Sequence, residues 1–424
     1  MFTDQAKKRK FINTYFDGKG GLYKNSLVML MAEFINKLIM FSLTIIIARY
    51  LGAEGYGQFA FAMNFSSLFF IFSDLGVSTL AVKEIARNHN IAKKYLDNIA
   101  ALKLFLSILT IFLLCFVVSF LGKPFAINLM VYLFSGYILI SSISEFMSSV
   151  LNAYEKLEYV ALSIIIRGVV LFALISLVVF LDLGIYYIIL AYLFGTLCSL
   201  VYLIYILRKK IFKFTLRFDL SFITALLRRA SPYALSLAFA SIYLSIDSVL
   251  ISHFIGDIEV GYYSLGYSLI IAFYVFPAII TKVYFPRMSI YFNSDKPKLR
   301  YLFKSLLIKL CIAAVLLVIF LYYISTPLFL FLYGSEFGDS IIVFQLLLFA
   351  LLLKFVSFPC AFLLLAVDKQ NIRVGIQGFS ALFNLVTNII FIPKYGFLAA
   401  AGTTIASEFM LAILYYSVAR RALN

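Results

Sequence analysis

Glu33 and Lys37 stand one helical turn apart in a run with little other polarity, with Asn36 beside them. A carboxylate four residues before an ammonium is the favourable order for an ion pair along a helix. The two can simply neutralise each other. Alternatively, Lys37 lends positive potential to a wetted cleft and Glu33 orients it. Lys282 and Arg287 flank Pro286 at the end of another apolar run, and Arg49 opens a short polar turn. Cations at such places suit a phosphate or pyrophosphate group, which needs charge-assisted donors where water is scarce. Asp74 and Asp247 are isolated carboxylates inside apolar runs. Each is a candidate proton or sodium site, and each is also open to the commoner fate of hydrogen bonding to a neighbouring helix. Glu145, Arg167, Lys309, Lys354 and Glu408 are further charges within apolar runs, and Glu145 and Arg167 are expected to partner each other.

Covalent chemistry finds no equipment here. There is no nucleophile elbow and no HExxH pair, and the two histidines, His89 and His253, are too few for a histidine-based metal site. Cys115, Cys198, Cys311 and Cys360 all lie in apolar runs, where they serve as small hydrophobes rather than as a disulfide framework. The glycine motifs lack the Lys-Ser/Thr of a phosphate loop. The expectation is a protein that is not an enzyme and needs no cofactor or metal.

The elements that must position these charges are set by composition. Of 424 residues, 63% are hydrophobic and only 13% charged. A soluble exterior cannot be built from that balance, so hydrocarbon is the solvent for most of the chain. The fold class is an all-α polytopic membrane protein, with spans near 26–48, 59–82, 98–121, 129–151, 161–181 and 186–207 in the first half. The second half carries spans near 231–254, 261–285, 305–325, 341–366, 373–392 and 397–418. Ser231-Pro232 is expected to cap and open the seventh, and Pro277 to kink the eighth. A cleavable signal is not expected, since the first apolar run exceeds a signal core.

The net charge of +16 follows the positive-inside rule. Basic residues crowd the termini, the central linker and the loops after even-numbered spans, and only Arg49, Lys123 and Lys394 fall at the opposite ends. Both termini are therefore placed in the cytoplasm, in a multi-pass protein of the cell membrane. Residues 1–25 form a basic leader, 26–207 a first lobe, 208–230 a basic linker and 231–424 a second lobe. In the linker, Phe212, Phe214, Phe218 and Leu220 interleave with Arg208, Lys209, Lys210, Lys213 and Arg217. That mixture suits the surface of an anionic leaflet, and anionic lipids rather than nucleic acid are the expected partner.

The two lobes echo each other. Gly52 and Gly57 recur 204 residues on as Gly256 and Gly261, Phe59 as Tyr263 and Lys83 as Arg287. Tyr154-Glu-Lys156 pairs with Val367-Asp-Lys369, and Leu183-Gly184 with Tyr395-Gly396. Two six-helix bundles running in the same direction, with a cavity between them, are the expected arrangement.

Arg49-Tyr-Leu-Gly-Ala-Glu-Gly-Tyr-Gly57, Asp74-Leu-Gly76 and Lys83-Glu-Ile-Ala-Arg87 resemble the opening of the polysaccharide-exporter branch of the multidrug/oligosaccharidyl-lipid/polysaccharide flippase superfamily. Ser245-Ile-Asp247, Gly261-Tyr-Tyr-Ser264, Pro277 and Pro286 look like its second-lobe counterpart, and Asn384 to Asn388 with Ile392-Pro-Lys-Tyr-Gly396 and Ala399-Ala-Ala-Gly402 like its penultimate hairpin. The resemblance implies a flippase of the O-antigen repeat-unit type that turns an undecaprenyl-pyrophosphate-linked oligosaccharide across the membrane by alternating access. It also implies a place in lipopolysaccharide or capsule synthesis, beside a polysaccharide polymerase and a chain-length regulator. Lys37, Lys282 and Arg287 would then hold the pyrophosphate, with Arg49 and Asn36 second. Asp74, Asp247 and Glu33 would be the coupling-ion or proton groups. The alternative within the superfamily is a cation-coupled multidrug antiporter.

Overall fold

The computed structural model describes residues 20–210 and 215–423; most of the basic leader and the linker residues Phe212, Lys213 and Phe214 lie outside them. Among the described residues the fold is helical, with no strand. Helix α1 (Gly20–Asp74) is double length and breaks at Gly52, whose left-handed φ of 67° only glycine adopts at little cost. Its arms cover 20–51 and 53–74. Then come α2 (Val77–Arg87), α3 (Ala92–Ser119), α4 (Phe125–Ala153), α5 (Leu157–Phe180) and α6 (Ile185–Lys210). The second half holds α7 (Leu220–Phe254), α8 (Asp257–Ser294), α9 (Lys296–Tyr333), α10 (Gly338–Ala366), α11 (Gln370–Tyr395) and α12 (Phe397–Leu423). Eleven of these are long and apolar enough to cross a membrane, and the break in α1 makes twelve crossings of them.

Three local expectations give way. The second span begins at residue 53 and breaks at Leu75 and Gly76, both with positive φ. Ser231-Pro232 does not open the seventh span, because α7 already starts at Leu220 and carries Pro232 in its interior. Burial explains the extension: Ile223, Leu226 and Ala230 pack into the core formed by α2, α3, α4 and α6. The linker is also tied down by hydrogen bonds, Thr215 N–H to Asp97 Oδ1 at 2.7 Å and Asp219 N–H to Asn98 Oδ1 at 2.8 Å, and by the Arg229–Glu84 ion pair. Its exposed Leu216, Phe218, Arg208, Lys209 and Arg217 keep the mixture that suits an anionic surface. Lastly, the basic loop expected after Pro286 is helix except for Asp295. There Asp295 accepts from Lys298 N–H at 3.0 Å and pairs with its ammonium at 2.7 Å. The hydrogen bond from that ammonium holds the Asp295 carboxyl below the usual carboxylate range.

The repeat is written in the backbone. Glu155 and Asp368 both take left-handed conformations, with φ of 57° and 56°. Each turn is closed by the same bond, Lys156 N–H to Leu151 C=O at 3.0 Å and Lys369 N–H to Leu364 C=O at 2.8 Å.

The described residues group into two compact units. One comprises residues up to Leu43, Phe72–Leu113 and Leu133–Tyr233, around Leu96, Ile99, Phe146, Val150 and Leu203. The other comprises Thr44–Ile71, Leu114–Tyr132 and residues from Ala234 onward, built around α10, which packs against α8, α9 and α12.

Within this second unit the sequence repeat meets itself. A Cβ added to Gly57 would lie 1.6 Å from the Asp257 carbonyl oxygen, and one added to Gly261 would lie 2.2 Å from that of Ala53. Residues 53 and 257 are themselves repeat mates, so two equivalent helix starts cross as a local two-fold, backbone on backbone. Small residues four apart permit that approach, as in close helix pairs generally. Gly57→Leu should therefore lower the thermal unfolding midpoint of the detergent-solubilised protein by an amount matching about 1–3 kcal/mol of overpacking. Gly402→Ala, at an exposed helical glycine with open space around it, should leave the midpoint unchanged or raise it.

Candidate functional site

Side chains around the glycine crossing strap it shut. Arg49, just before the Gly52 break, donates from Nε to the Leu332 carbonyl at 2.8 Å and from Nη2 to the Phe331 carbonyl. Glu336 accepts from the Ala53 N–H at 2.7 Å, satisfying one of the orphan donors of the new helix start. Lys123 pairs with Asp257 at 3.0 Å, donates to the Ser252 carbonyl at 2.8 Å and lies over the Phe61 ring. Arg49 is thus engaged in holding helix ends together rather than left open to a ligand.

The acids inside the helices are mostly consumed by internal partners. Asp74 is buried at the end of α1, with the Lys103 ammonium at 2.5 Å and the Ser78 hydroxyl donating to it. Lys103, itself fully buried, also donates to the Ser142 carbonyl and hydroxyl at 2.8 and 2.9 Å. Asp74 is therefore charge-paired. Glu408, buried on α12, receives Lys354 of α10 at 2.5 Å and the hydroxyl of Tyr243. Asp247 is different. Its carboxylate, buried on α7, meets only neutral donors: Tyr263 at 2.5 Å, Asn388 at 2.6 Å and Thr404 at 3.0 Å. Asn388 in turn contacts Asn384 Oδ1 at 3.1 Å and accepts from Thr403. A carboxylate met by two hydroxyls and one amide N–H, with no cation beside it among the described residues, is a suitable place for a proton or a hard monovalent cation.

The remaining expected site residues are placed as follows. Lys37 and Glu33 are both exposed on α1, and among the described residues no ion pair joins them. Asn36 packs its amide against Gly168 of α5, and its Oδ1 is buried without a hydrogen-bond partner. Lys282 and Arg287 are exposed on α8. Glu145 does not pair with Arg167. It lies instead within electrostatic reach of Asp74 and Lys103, because α4 faces α3 there.

Reading the sequence missed Lys103 and the Tyr263, Thr404 and Asn388 cradle. Nothing local marks Lys103, which sits just inside an apolar run beside a basic loop and reads as a snorkelling lysine. Asn384 and Asn388 carried a signal, two amides one turn apart in an apolar span.

Comparison with known proteins agrees with this architecture. Residues 22–292 match the family described as "Polysaccharide biosynthesis protein". The capsular polysaccharide biosynthesis protein CapF of Staphylococcus aureus is 23% identical over 420 residues, covering 94% of this chain and 100% of that one. Among solved structures, the lipid II flippase MurJ in an inward closed conformation superposes with a TM-score of 0.77 at 16% identity, covering 92% of this chain and 87% of MurJ. An inward-facing multidrug resistance MATE family transporter gives 0.73 at 15% identity, covering 94% and 98%. The expected fold class, an all-α bundle of membrane helices like that of the flippase and the transporter just named, is what the chain adopts.

Breaking one half of a buried ion pair leaves the other charge stranded in a low-dielectric interior. Asp74→Asn and Lys103→Met should each cost about 3–5 kcal/mol, and the double variant clearly less than the two together. Thermal unfolding of the purified protein in detergent, across the four members of the cycle, measures this.

Proposed function

Because this chain belongs to the polysaccharide biosynthesis protein family, we propose that it is a flippase for undecaprenyl-pyrophosphate-linked oligosaccharide repeat units. It moves them across the cytoplasmic membrane by alternating access, to supply surface polysaccharide of the O-antigen or capsule kind. The observation that carries the reading is the distribution of charge within the membrane helices. Asp74, Glu408 and Asp247 are withdrawn into ion pairs and hydrogen bonds, whereas Lys37, Lys282 and Arg287 stay exposed; of the exposed acids, Glu33 and Glu145 lie inside spans and Glu54 and Asp339 at helix starts. The side chains left over for a ligand are thus weighted toward cations, which favours a pyrophosphate over a cationic drug. Asn36 sits one residue from Lys37 and adds an amide for a sugar hydroxyl. The glycine crossing with its Arg49, Glu336 and Lys123 straps is the closure that must part when access alternates.

Energy input is assigned to Asp247. Its neutral hydroxyl and amide surroundings let it take up a proton or sodium ion without breaking a salt bridge, whereas ion binding at Asp74 would have to displace Lys103. The same feature keeps a second reading in play, a cation-coupled multidrug antiporter, which also matches the fold of the MATE neighbour.

In cells lacking the native gene, Lys37→Met and Lys282→Met should abolish surface glycan while leaving the protein at normal level in the membrane. Normal glycan in both would defeat this assignment of the headgroup contacts. Asp247→Asn preserves the size of the side chain, its Oδ1 can still accept from Asn388, and the Tyr263 and Thr404 hydroxyls can turn to accept from its new amide N–H groups, so the protein should fold. Its transport in proteoliposomes should lose any dependence on an imposed proton or sodium gradient. The antiporter reading instead expects resistance to cationic dyes on expression, and no glycan defect on deletion.

A further inference from the structure

Helices α7, α10, α11 and α12 enclose a cavity of about 200 Å3 in the second compact unit, apart from every residue assigned above to the substrate or the coupling ion. Its charged walls are Lys354 and Arg373, its neutral polar walls Gln377, Tyr243 and Tyr415, and the remainder is mostly apolar, with Phe358, Phe362 and Leu365 prominent. No aspartate or glutamate lines it.

The two cations differ in what balances them. Lys354 has Glu408 at 2.5 Å and the rings of Tyr243, Tyr274 and Phe358 between 5.3 and 5.8 Å from its ammonium. Its charge is met. Arg373 has no such relief. Its guanidinium is always protonated, yet among the described residues no carboxylate pairs with it, and the neutral Tyr415 hydroxyl lies beside it. The Tyr415 O–H is itself directed at the Arg373 carbonyl, at 3.2 Å. Arg373 Nε is buried without an acceptor. A permanent charge in the wall of a cavity lined by no acid, with one of its donors buried and unspent, suits an anion.

The shape narrows the anion. Arg373 stands near the start of α11, and Phe358, Phe362 and Leu365 run along α10 as an aromatic and aliphatic wall. A drug-sized ligand needs roughly 300–1,000 Å3, so this space admits a small headgroup with a few attached carbons. A planar guanidinium with an amide beside it matches the oxygens of a phosphate ester. We propose that this cavity binds the phosphate headgroup of an amphiphile, with Arg373 and Gln377 on the phosphate oxygens and the α10 wall against the first carbons of its chain. The inference does not rest on the flippase reading, because the suitability for an anion is the same whatever the protein transports.

The test uses the full chain in nanodiscs of phosphatidylcholine, titrated with farnesyl pyrophosphate and, separately, with inorganic pyrophosphate. In the Lys37→Met/Lys282→Met background, which removes the headgroup contacts proposed above, saturable one-to-one binding of farnesyl pyrophosphate, at least tenfold tighter than that of pyrophosphate, is expected. Arg373→Gln should weaken it at least tenfold. Ala361→Phe, which fills the cavity without touching a charge, should do the same. Arg420→Gln, at an exposed arginine near the end of α12, should change it less than twofold. Equal affinity for the two ligands would overturn the amphiphile in favour of a free ion. An absence of saturable binding in that background would overturn the site, whatever the further variants do. Equal losses in Arg373→Gln and Arg420→Gln would reduce the effect to general surface charge and overturn it too. Because glycan export by Lys37 and Lys282 variants is measured independently, failure here and failure of the flippase reading are separately visible.

Discussion

Hydrocarbon supplies neither a hydrogen bond nor a counter-ion, so each polar group carried into it must find a partner in the protein or a wetted surface. That constraint organises this molecule. Asp74 is matched with Lys103 and Glu408 with Lys354, while Asp247 is distributed over three neutral donors. Each arrangement joins separate helices, α1 to α3, α10 to α12 and α7 to α8, α11 and α12. The polar contacts therefore specify which helices are neighbours in a medium where apolar surface discriminates poorly between partners.

The same constraint explains the glycine crossing. Two helix starts expose unpaired N–H groups, and they approach closely only because Gly57 and Gly261 lack side chains. Glu336 then supplies an acceptor, and Arg49 covers carbonyls at the end of α9. Small residues and a handful of polar straps hold this contact, with the backbones close together. On the transport cycle proposed above, such straps suit a closure that opens, since polar straps can exchange with water.

Charges left unmatched by this internal pairing are the informative ones. Lys37, Lys282 and Arg287 remain exposed, and Arg373 borders a cavity with no acid in its wall. In a soluble protein such residues would be unremarked surface. Within membrane helices they mark where anionic ligands are to be sought, and they underlie both the flippase proposal and the second, independent headgroup cavity.

Much of this was legible in one dimension. Composition alone required a membrane solvent, apolar run lengths marked the twelve crossings, and the recurrence of Gly52, Gly57 and Lys156 at fixed distances announced a doubled bundle. These are properties of local segments, and hydropathy and turn chemistry act locally. Contacts were not legible. Nothing near Lys103 says that it faces Asp74, nothing near Gly57 says that it touches the carbonyl of Asp257, and Glu145 and Arg167 looked like partners until the helices were placed. Ser231-Pro232 read as a helix start, yet burial of Ile223, Leu226 and Ala230 carried the helix through it. Each residue turns a side chain by about 100° around its helix axis. Which residues meet therefore depends on the rotation and depth of whole helices, and only tertiary packing decides those.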